Sequence, residues 1–199
     1  VAVITGLLCG VPVPSIQRAL KKFKGVERRF ELIFEHEFKV IDDHFANSGN
    51  INVTLETLKF MDYRRLHIVY AIRGGRGVTV NRESAEALAG WAPALGLTEI
   101  IATSSHSHVD EKDTVTDKER SVFFEVMHKA GIKVLHFDEL PEAIARGLSR
   151  TRPGDILLLA GCQGMDAGAK IALEMIHRQH PHLKQEKVFE ALQNRVAGI

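Results

Sequence analysis

Two adjacent carboxylates, Asp42 and Asp43, follow an apolar segment and precede a short polar turn. In an open α/β sheet, ligands bind beyond the carboxyl ends of the strands, where a carboxylate can accept hydrogen bonds from ribose hydroxyls. An aspartate in this position also caps a helix or stabilises a turn, and the residues alone leave both interpretations open. Asn47 or Ser48 in the turn is expected to cap the helix that follows.

A cationic segment precedes this pair and a glycine-rich segment follows it. Arg29, at the start of the first predicted strand, is suited to bidentate binding of a phosphate, although its charge run KKFKGVERR is also typical of a solvated surface. The segment Gly74-Gly75-Arg76-Gly77 follows a predicted strand and offers backbone N–H groups to an anion, with a flexible loop as the alternative. It matches neither the dinucleotide fingerprint G-x-G-x-x-G nor a Walker loop, which disfavours a nicotinamide dehydrogenase.

The other candidate residues lie in two later loops. In residues 104–108, His106 and His108 have a spacing that allows metal binding, but no third ligand is identifiable, and a polar loop lining a substrate pocket is favoured. Residues 161–166 combine small residues with a helix start, which either favours a bound carboxylate or forms a tight turn. Cys162 is interpreted as structural, because no histidine partner for a nucleophile is identifiable. We assign neither a catalytic residue nor a metal ligand.

Predicted strands and helices alternate from residue 29 onward. Strands are expected over residues 29–34, 38–41, 66–72, 99–103, 133–137 and 156–160. Helices are expected over residues 82–95 with Asn81 as cap, 117–130, 139–150 with Asp138 as cap, from the 161–166 loop to about 179, and 183–196. This alternation predicts an α/β fold with a doubly wound, mostly parallel Rossmann-like sheet and helices on both faces. The fully apolar strands 66–72 and 156–160 are expected at its centre, and the first strand at an edge, where an antiparallel orientation is allowed.

The composition is that of a globular protein. Hydrophobic residues make up 45% and charged residues 26% of the 199 positions, which is enough for an apolar core. The net charge of +1 indicates neither a nucleic-acid nor a membrane partner. Cys9 and Cys162 have no metal-binding or disulfide-framework spacing, so a cytoplasmic location is expected.

Residues 1–23 differ from the rest of the chain. They contain two predicted helices, separated by Gly10 and Pro12, with no following strand on which to pack. We therefore expect residues 1–23 to be the tail of a preceding domain and residues 24–199 to form the domain outlined above. Apolar surface should be exposed where the preceding domain is missing.

Several short motifs, taken in order, give the chain a family resemblance. The segments FKGVERRFE, VIDDHFANS, the strand leading to Gly74-Gly75, and RPGDILLLAG lie between Lys24 and about Met175. Together they resemble the C-terminal domain of the Mur ligase family, which are ATP-dependent amide ligases of cell-wall precursor synthesis related to folylpolyglutamate synthase. Residues 1–23 resemble the last helices of the central ATPase domain of that family.

The resemblance implies roles for particular residues. Arg29 matches the arginine that reaches the nucleotide from this domain, and Asp43, next to Asp42, matches the aspartate near the ribose. Substrate contacts would come from the loops that carry Phe45, Asn47, Ser48, Arg76, His106, Cys162, Gly164 and Met165. In the full-length protein, ATP and Mg²⁺ would be cofactors and an amino acid or peptide precursor the substrate. The missing N-terminal and central domains would be needed for activity, so that the fragment alone is inactive.

Some positions depart from the family pattern. The D-glutamate-adding ligase, whose turn has similar spacing, has a lysine where this chain has Phe45, and a serine and a phenylalanine where it has Gly164 and Met165. These changes argue against D-glutamate as the substrate. They also leave room for an alternative, a non-catalytic Rossmann-like binding module or a ligase relative that has lost activity.

Overall fold

The structure, a computed structural model, describes residues 1–23, 25–193 and 195. Six strands form one sheet: β1 (Glu31–Glu35), β2 (Lys39–Asp43), β3 (Leu66–Ala71), β4 (Glu99–Thr103), β5 (Lys133–Phe137) and β6 (Ile156–Ala160). Their spatial order is β1-β2-β6-β3-β4-β5. Only β1 runs antiparallel to its neighbour, and all other pairs are parallel. The predicted mostly parallel sheet with an antiparallel N-terminal edge is confirmed.

Eight α-helices occur in the described residues. They are α1 (Ala2–Leu8), α2 (Val13–Lys22), α3 (Ser48–Lys59), α4 (Gly77–Leu95), α5 (Asp117–Lys129), α6 (Leu140–Arg150), α7 (Gly168–Gln179) and α8 (Gln185–Val188). Helices α3, α4 and α5 contribute side chains to one hydrophobic core, and α6 and α7 contribute to a second. Residues of β3 alternate between the two cores, with Ile68 and Tyr70 in the first and Val69 and Ala71 in the second. Helices therefore cover both faces of the sheet.

The most apolar strands lie at the centre of the sheet, as predicted. All five residues of β6 are buried, and so are five of the six residues of β3. With both faces of the sheet covered, burial of every apolar side chain of a central strand stabilises the fold. This is why these strands have near-continuous hydrophobic sequences.

Two predicted helix starts differ from the structure, and at a third the structure has one of the two predicted caps. Helix α4 begins at Gly77 rather than after Asn81, and the buried Asn81 side chain bonds the backbone N–H and C=O of Arg73 instead of capping. Glu139, not Asp138, is the N-cap of α6, and it makes no side-chain cap bond. At α3, Asn47 rather than Ser48 is the cap, because its side chain accepts from the N–H of Asn50 at 3.0 Å.

The helix predicted over residues 183–196 is wrong in the described part of the chain. The structure has the short α8 and then a 3-10 turn, Glu190–Leu192, while residues 194 and 196 lie outside the described residues. The chain bends here because Phe189, Ala191 and Leu192 all pack against the second core, and a straight helix would spread them over different faces.

Helices α1 and α2 bury none of their residues. Large apolar side chains on them, including Ile4, Leu8 and Leu20, are exposed, which confirms the predicted apolar surface. The assignment of this segment to a preceding domain stays a prediction. Across the described residues, we find no helix with both the length and the apolar character needed to span a membrane.

Candidate functional site

The loops that carry the candidate residues meet at the carboxyl edge of the sheet. The parallel register pairs Asp43 with Ala160 and Ala160 with Tyr70, so that β2, β6 and β3 end side by side. The turn after β2, the 161–166 loop and the glycine-rich loop after β3 are therefore neighbours. Ligands bind at this edge in open α/β sheets, and the predicted site residues are brought together there.

A buried arginine joins the segment before β1 to the end of β2 and to the 161–166 loop. Arg28 is only 5% exposed, and its Nε donates to Asp42 Oδ1 at 3.2 Å. Its guanidinium group also donates to the backbone carbonyls of Gly161 and Cys162 and to the carboxylate of Asp166. Burial raises the pKa of Asp42 to about 7, against the lowering effect of the Arg28 and more distant Arg195 charges. Asp42 is thus engaged inside the protein and does not face a ligand.

The second carboxylate is also engaged. Asp43 is 4% exposed, and its Oδ2 accepts hydrogen bonds from the N–H of Phe30 at 2.7 Å and from Thr54 Oγ1 at 3.0 Å. Burial raises the pKa of Asp43, an effect that these two hydrogen bonds oppose. The carboxylate holds the segment before β1 against the middle of α3, and in this structure its Oδ2 is occupied by the protein itself.

Arg29 has the opposite environment from its neighbour. It is exposed, whereas Arg28 is buried, and the two residues that flank it, Arg28 and Phe30, have left-handed φ angles of 53° and 49°. Side chains with a Cβ seldom adopt this conformation, because it brings the Cβ close to the backbone. The backbone therefore turns Arg29 outward at the edge where a ligand would bind.

The glycine-rich loop is not open to an anion. The backbone N–H groups of Arg76 and Gly77 donate to Glu119 Oε1 at 2.9 and 2.7 Å. A Cβ placed on Gly74 would lie 2.0 Å from the carbonyl oxygen of Asp113, so the glycine allows the 112–114 segment to approach. Another carboxylate of the chain therefore occupies two of the amides offered to an anion, which argues against the anion-binding interpretation of this loop.

Several predicted substrate contacts have buried side chains. Phe45 and Met165 lie in the first and second core respectively. Cys162 is buried, its Sγ contacts the carbonyl oxygen of Phe45 at 3.1 Å, and burial raises the pKa of its thiol, which agrees with a structural role. Gly164 packs closely on Ala71, and a Cβ there would lie 3.1 Å from the Cβ of Ala71. These buried residues support the loops at the carboxyl edge of the sheet and do not line its surface.

Other predicted residues do reach the surface of the edge. Asn47, Arg76 and His106 are exposed, and Ser48 is half-buried at the start of α3. Arg76 is tethered, because its guanidinium group lies 3.3 Å from Asp113 Oδ1. The other histidine, His108, lies 3.7 Å from Glu139. The described residues contain no group of three or more His, Cys, Asp or Glu that could hold a metal ion.

Three arginines, Arg28, Arg29 and Arg73, lie around His44, a cluster that the sequence did not predict, and we call this face the cationic edge. Burial, together with the charges of Arg28, Arg29 and Arg73, lowers the pKa of the half-buried His44 to about 4. Arg73 also donates to the carbonyl oxygen of Ala46, so that it links the β2 and β3 loops. A face with several guanidinium groups and a neutral histidine attracts carboxylates and phosphates.

Three residues of the site, Arg28, His44 and Arg73, were not predicted from the sequence. Arg28 and Arg29 are adjacent members of one charge run, and the sequence does not indicate which of them turns inward. The positions of His44 and Arg73, directly after predicted strands, were a usable signal, since residues there lie at the carboxyl edge.

Comparison with known proteins agrees with this geometry. The family model described as Mur ligase, glutamate ligase domain, matches residues 28–163. The chain belongs to the Mur ligase family. The match begins at Arg28 and ends within the 161–166 loop. Arg28 and the loop residues that it contacts therefore lie inside the matched region or next to its end.

Alignments with individual Mur ligases cover most of this chain. It is 28% identical over 163 residues to the UDP-N-acetylmuramate–L-alanine ligase of Dictyoglomus turgidum, covering 80% of this chain and 34% of that protein. It is 27% identical over 161 residues to the UDP-N-acetylmuramoyl-L-alanyl-D-glutamate–2,6-diaminopimelate ligase of Bacillus velezensis, covering 80% and 31%. The crystal structure of UDP-N-acetylmuramate–alanine ligase from Thermotoga maritima has the same fold, with a TM-score of 0.63 at 17% identity over 89% of this chain and 36% of that one. The chain spans about a third of the length of the curated relatives that it matches.

Proposed function

We propose that this chain is the C-terminal substrate-binding part of an ATP-dependent ligase that joins an amino acid to a carboxylate in cell-wall precursor synthesis. The carboxylate of the acceptor is first phosphorylated by ATP to an acyl phosphate, and the amine of the incoming amino acid then displaces the phosphate. Residues 1–23 are the end of a preceding ATPase domain, and residues 24–199 form the domain that binds the amine substrate. The names of the two curated relatives, which add different amino acids, support the reaction class rather than one amine.

The observation that carries this proposal is the exposed Arg29 at the carboxyl edge of a Mur ligase domain. Its guanidinium group faces solvent, while the flanking backbone is fixed by buried carboxylates. An arginine held in this way can pair with phosphate oxygens at little cost in backbone entropy, because only its own side-chain rotamers remain to be ordered. Arg29 is therefore the residue that we assign to the nucleotide.

The two other cofactor assignments, Asp43 to the ribose and a site for Mg²⁺, agree with the structure to different degrees. Asp43 already accepts two hydrogen bonds, so a contact with ribose would need its second oxygen or a change in the segment before β1. The described residues offer no cluster suited to a metal ion, and Asp42 is bound to Arg28. This chain does not fit a magnesium site, and we assign Mg²⁺ to the preceding domains.

The cationic edge suits the substrates of such a ligase. An amino-acid carboxylate and the phosphates of the nucleotide are all anionic, and the field of Arg29, Arg73 and Arg76 draws them to the same face. Asn47 and His106, both exposed there, supply hydrogen-bonding groups that distinguish one amine substrate from another. Phe45, Gly164 and Met165 act on that choice indirectly, by setting the shape of the loops.

The experiment is a ligation assay on the full-length protein that contains this chain. Phosphate release is measured with ATP, with UDP-N-acetylmuramate or its peptide derivatives as acceptors, and with a panel of amino acids. We expect release that requires all three components, and a coupled product detected by mass spectrometry. The 199-residue chain, assayed alone, should release none, because its sequence contains no Walker loop.

A matched pair of variants makes the assay specific. Arg29→Ala should lower the rate, while Arg178→Ala, at an exposed arginine of α7, should leave it unchanged. If the full-length protein binds nucleotide or amino acid but never forms product, the chain is instead part of a relative that has lost activity. ATP turnover by the 199-residue chain itself would contradict the division into domains.

A further inference from the structure

The backbone around Arg29 is strained in a way that needs an explanation. Within the part of the chain that the structure describes, only Arg28, Phe30 and Ser105 are non-glycine residues with a positive φ. Two of the three flank Arg29. Left-handed conformations of such residues persist only when the surrounding contacts determine them, and they concentrate where a side chain must be aimed.

Contacts on both sides of Arg29 determine this conformation. The N–H of Arg28 donates to Glu31 Oε2 at 2.9 Å, and the carbonyl of Arg28 accepts from the N–H of His44 at 2.8 Å. On the other side, the N–H of Phe30 donates to Asp43 at 2.7 Å. The segment 28–30 is therefore fixed at three backbone points, and the side chain between them is left free.

The Arg28 side chain extends this fixed segment to the last loop of the site. Its guanidinium group binds Asp42 at the end of β2 and donates to the carbonyls of Gly161 and Cys162 after β6. Gly161 has φ 147°, and a Cβ there would lie 2.8 Å from the Cβ of Ala71, so only glycine directs this carbonyl toward Arg28. Asp166, at the far end of the same loop, binds the same guanidinium group.

One side chain thus connects the residue assigned to the nucleotide with the loop assigned to the amine substrate. We propose that Arg28 is a positioning residue, which holds Arg29 at a fixed place and orientation relative to residues 161–166. This inference rests on the proposed function for the role of Arg29, whereas the connection between Arg28 and the loop does not depend on it. A charge alone is insufficient for the role, because four acceptors on two segments require the forked donors of a guanidinium group.

The first test uses the 199-residue chain and does not involve activity. In Arg28→Lys, which keeps the charge, amide exchange of residues 161–166 should be at least about tenfold faster than in the parent chain, with β3 unchanged. Arg29→Ala and the surface control Arg178→Lys should leave exchange in the loop unchanged. Should Arg28→Lys destabilise the whole chain, Asp166→Ala removes a mostly exposed partner of Arg28 and should still accelerate exchange in the loop. Equal exchange in all of these variants contradicts the connection.

The second test is a double-mutant cycle for ligation by the full-length protein. Arg28→Lys and Arg29→Ala should each lower kcat about tenfold or more, and the double variant should lose no more than Arg29→Ala alone, because Arg28 acts through Arg29. A residue that merely stabilises the fold would give losses that multiply, and that result overturns the positioning role. If the parent protein has no ligation activity, the proposed function has failed, and amide exchange still decides whether Arg28 holds the loop.

Discussion

Glu119 Oε1 accepts a hydrogen bond of 2.7 Å from the backbone N–H of Gly77, so that a side chain of α5 occupies the anion-binding end of α4. The same carboxylate accepts from the N–H of Arg76, and its other oxygen accepts from Thr116 in a capping box. Although burial raises the pKa of Glu119, the hydrogen bonds from Thr116, Gly77 and Arg76 together hold it below its usual value. The glycine-rich loop resembles a phosphate-binding element in its sequence. In this structure it is a contact between α4 and α5.

Replacing Glu119 should therefore cost stability. Glu119→Ala leaves two helix N-termini without their acceptor, and we expect the free energy of unfolding to fall by about 2–4 kcal/mol in urea titrations. Glu125→Ala, at a solvent-facing position of the same helix, is the control and should change stability by less than about 0.5 kcal/mol. Because folding lowers the pKa of Glu119, its contribution is present above pH 4.5 and is lost as the pH falls below that value. A difference between parent and variant that is constant from pH 7 to roughly pH 3 would argue against the assignment.

Replacing Gly74 or Gly90 with alanine should change the free energy of unfolding in opposite directions. A Cβ on Gly74 meets backbone atoms of the 113–114 segment, whereas a Cβ on Gly90, inside α4, meets nothing within 4 Å. Gly74→Ala should lower the free energy of unfolding by at least about 2 kcal/mol, since backbone must move to relieve the clash. Gly90→Ala should raise it by up to about 1 kcal/mol, because alanine is the better helix former. Similar destabilisation by both substitutions would show that the close approach at Gly74 is not maintained.

The half-buried His44 reports on the cationic edge. Burial and the charges of Arg28, Arg29 and Arg73 lower its pKa to about 4, from 6.5 for an unperturbed histidine. Because the unfolded chain binds this proton more readily, His44 lowers the free energy of unfolding progressively as the pH falls from 6.5 toward 4 and has no effect above 6.5. In an NMR titration, Arg29→Ala should raise the pKa of His44, and Arg178→Ala should not change it. An unchanged pKa in Arg29→Ala would mean that Arg29 lies away from this edge.

The exposed apolar surface of α1 and α2 leads to a prediction about local stability. With no residue buried in either helix, neither is held by tertiary packing, and isolated helices of this length are marginal in water. Amides of α1 and α2 should exchange at least about a thousandfold faster than those of β3 in the 199-residue chain. Exchange in α1 as slow as in β3 would indicate that the segment is stable without a partner.

The sequence predicted the fold better than the orientation of individual side chains. Strands β3 and β6 were predictable because long apolar segments are stable only when both faces are buried. Which of Arg28 and Arg29 faces the protein was not predictable, because side-chain alternation along a strand assumes extended backbone, and left-handed residues at 28 and 30 break it. The contact of Glu119 with Gly77 joins residues far apart in the chain and follows from helix packing, which local patterns do not encode.

Arg29 and Asp43 are both assigned to the nucleotide by family resemblance. Substituting them should nevertheless have different effects on stability and on the ligation rate. Arg29 is exposed and has no structural contact through its side chain among the described hydrogen bonds and ion pairs, so Arg29→Ala should change the free energy of unfolding by less than about 0.5 kcal/mol. Loss of a charge-assisted contact to phosphate, worth roughly 1.5–3 kcal/mol, should lower the ligation rate of the full-length protein about ten- to a hundredfold. Asp43→Ala leaves the N–H of Phe30 and the hydroxyl of Thr54 without an acceptor, and it should cost about 1–3 kcal/mol of stability.

The two measurements distinguish a nucleotide contact from a structural residue. Urea titration of the 199-residue chain gives the stability change, and steady-state kinetics of the full-length protein give the rate, with Arg178→Ala as the control in both. For Asp43→Asn, which keeps one acceptor oxygen, we expect much of the stability to return, and a rate that recovers in parallel assigns Asp43 to the structure alone. If the rate stays low while stability recovers, its carboxylate contacts the nucleotide as the family resemblance implies. If Arg29→Ala destabilises the chain but leaves ligation intact, the assignment of Arg29 to the nucleotide is wrong.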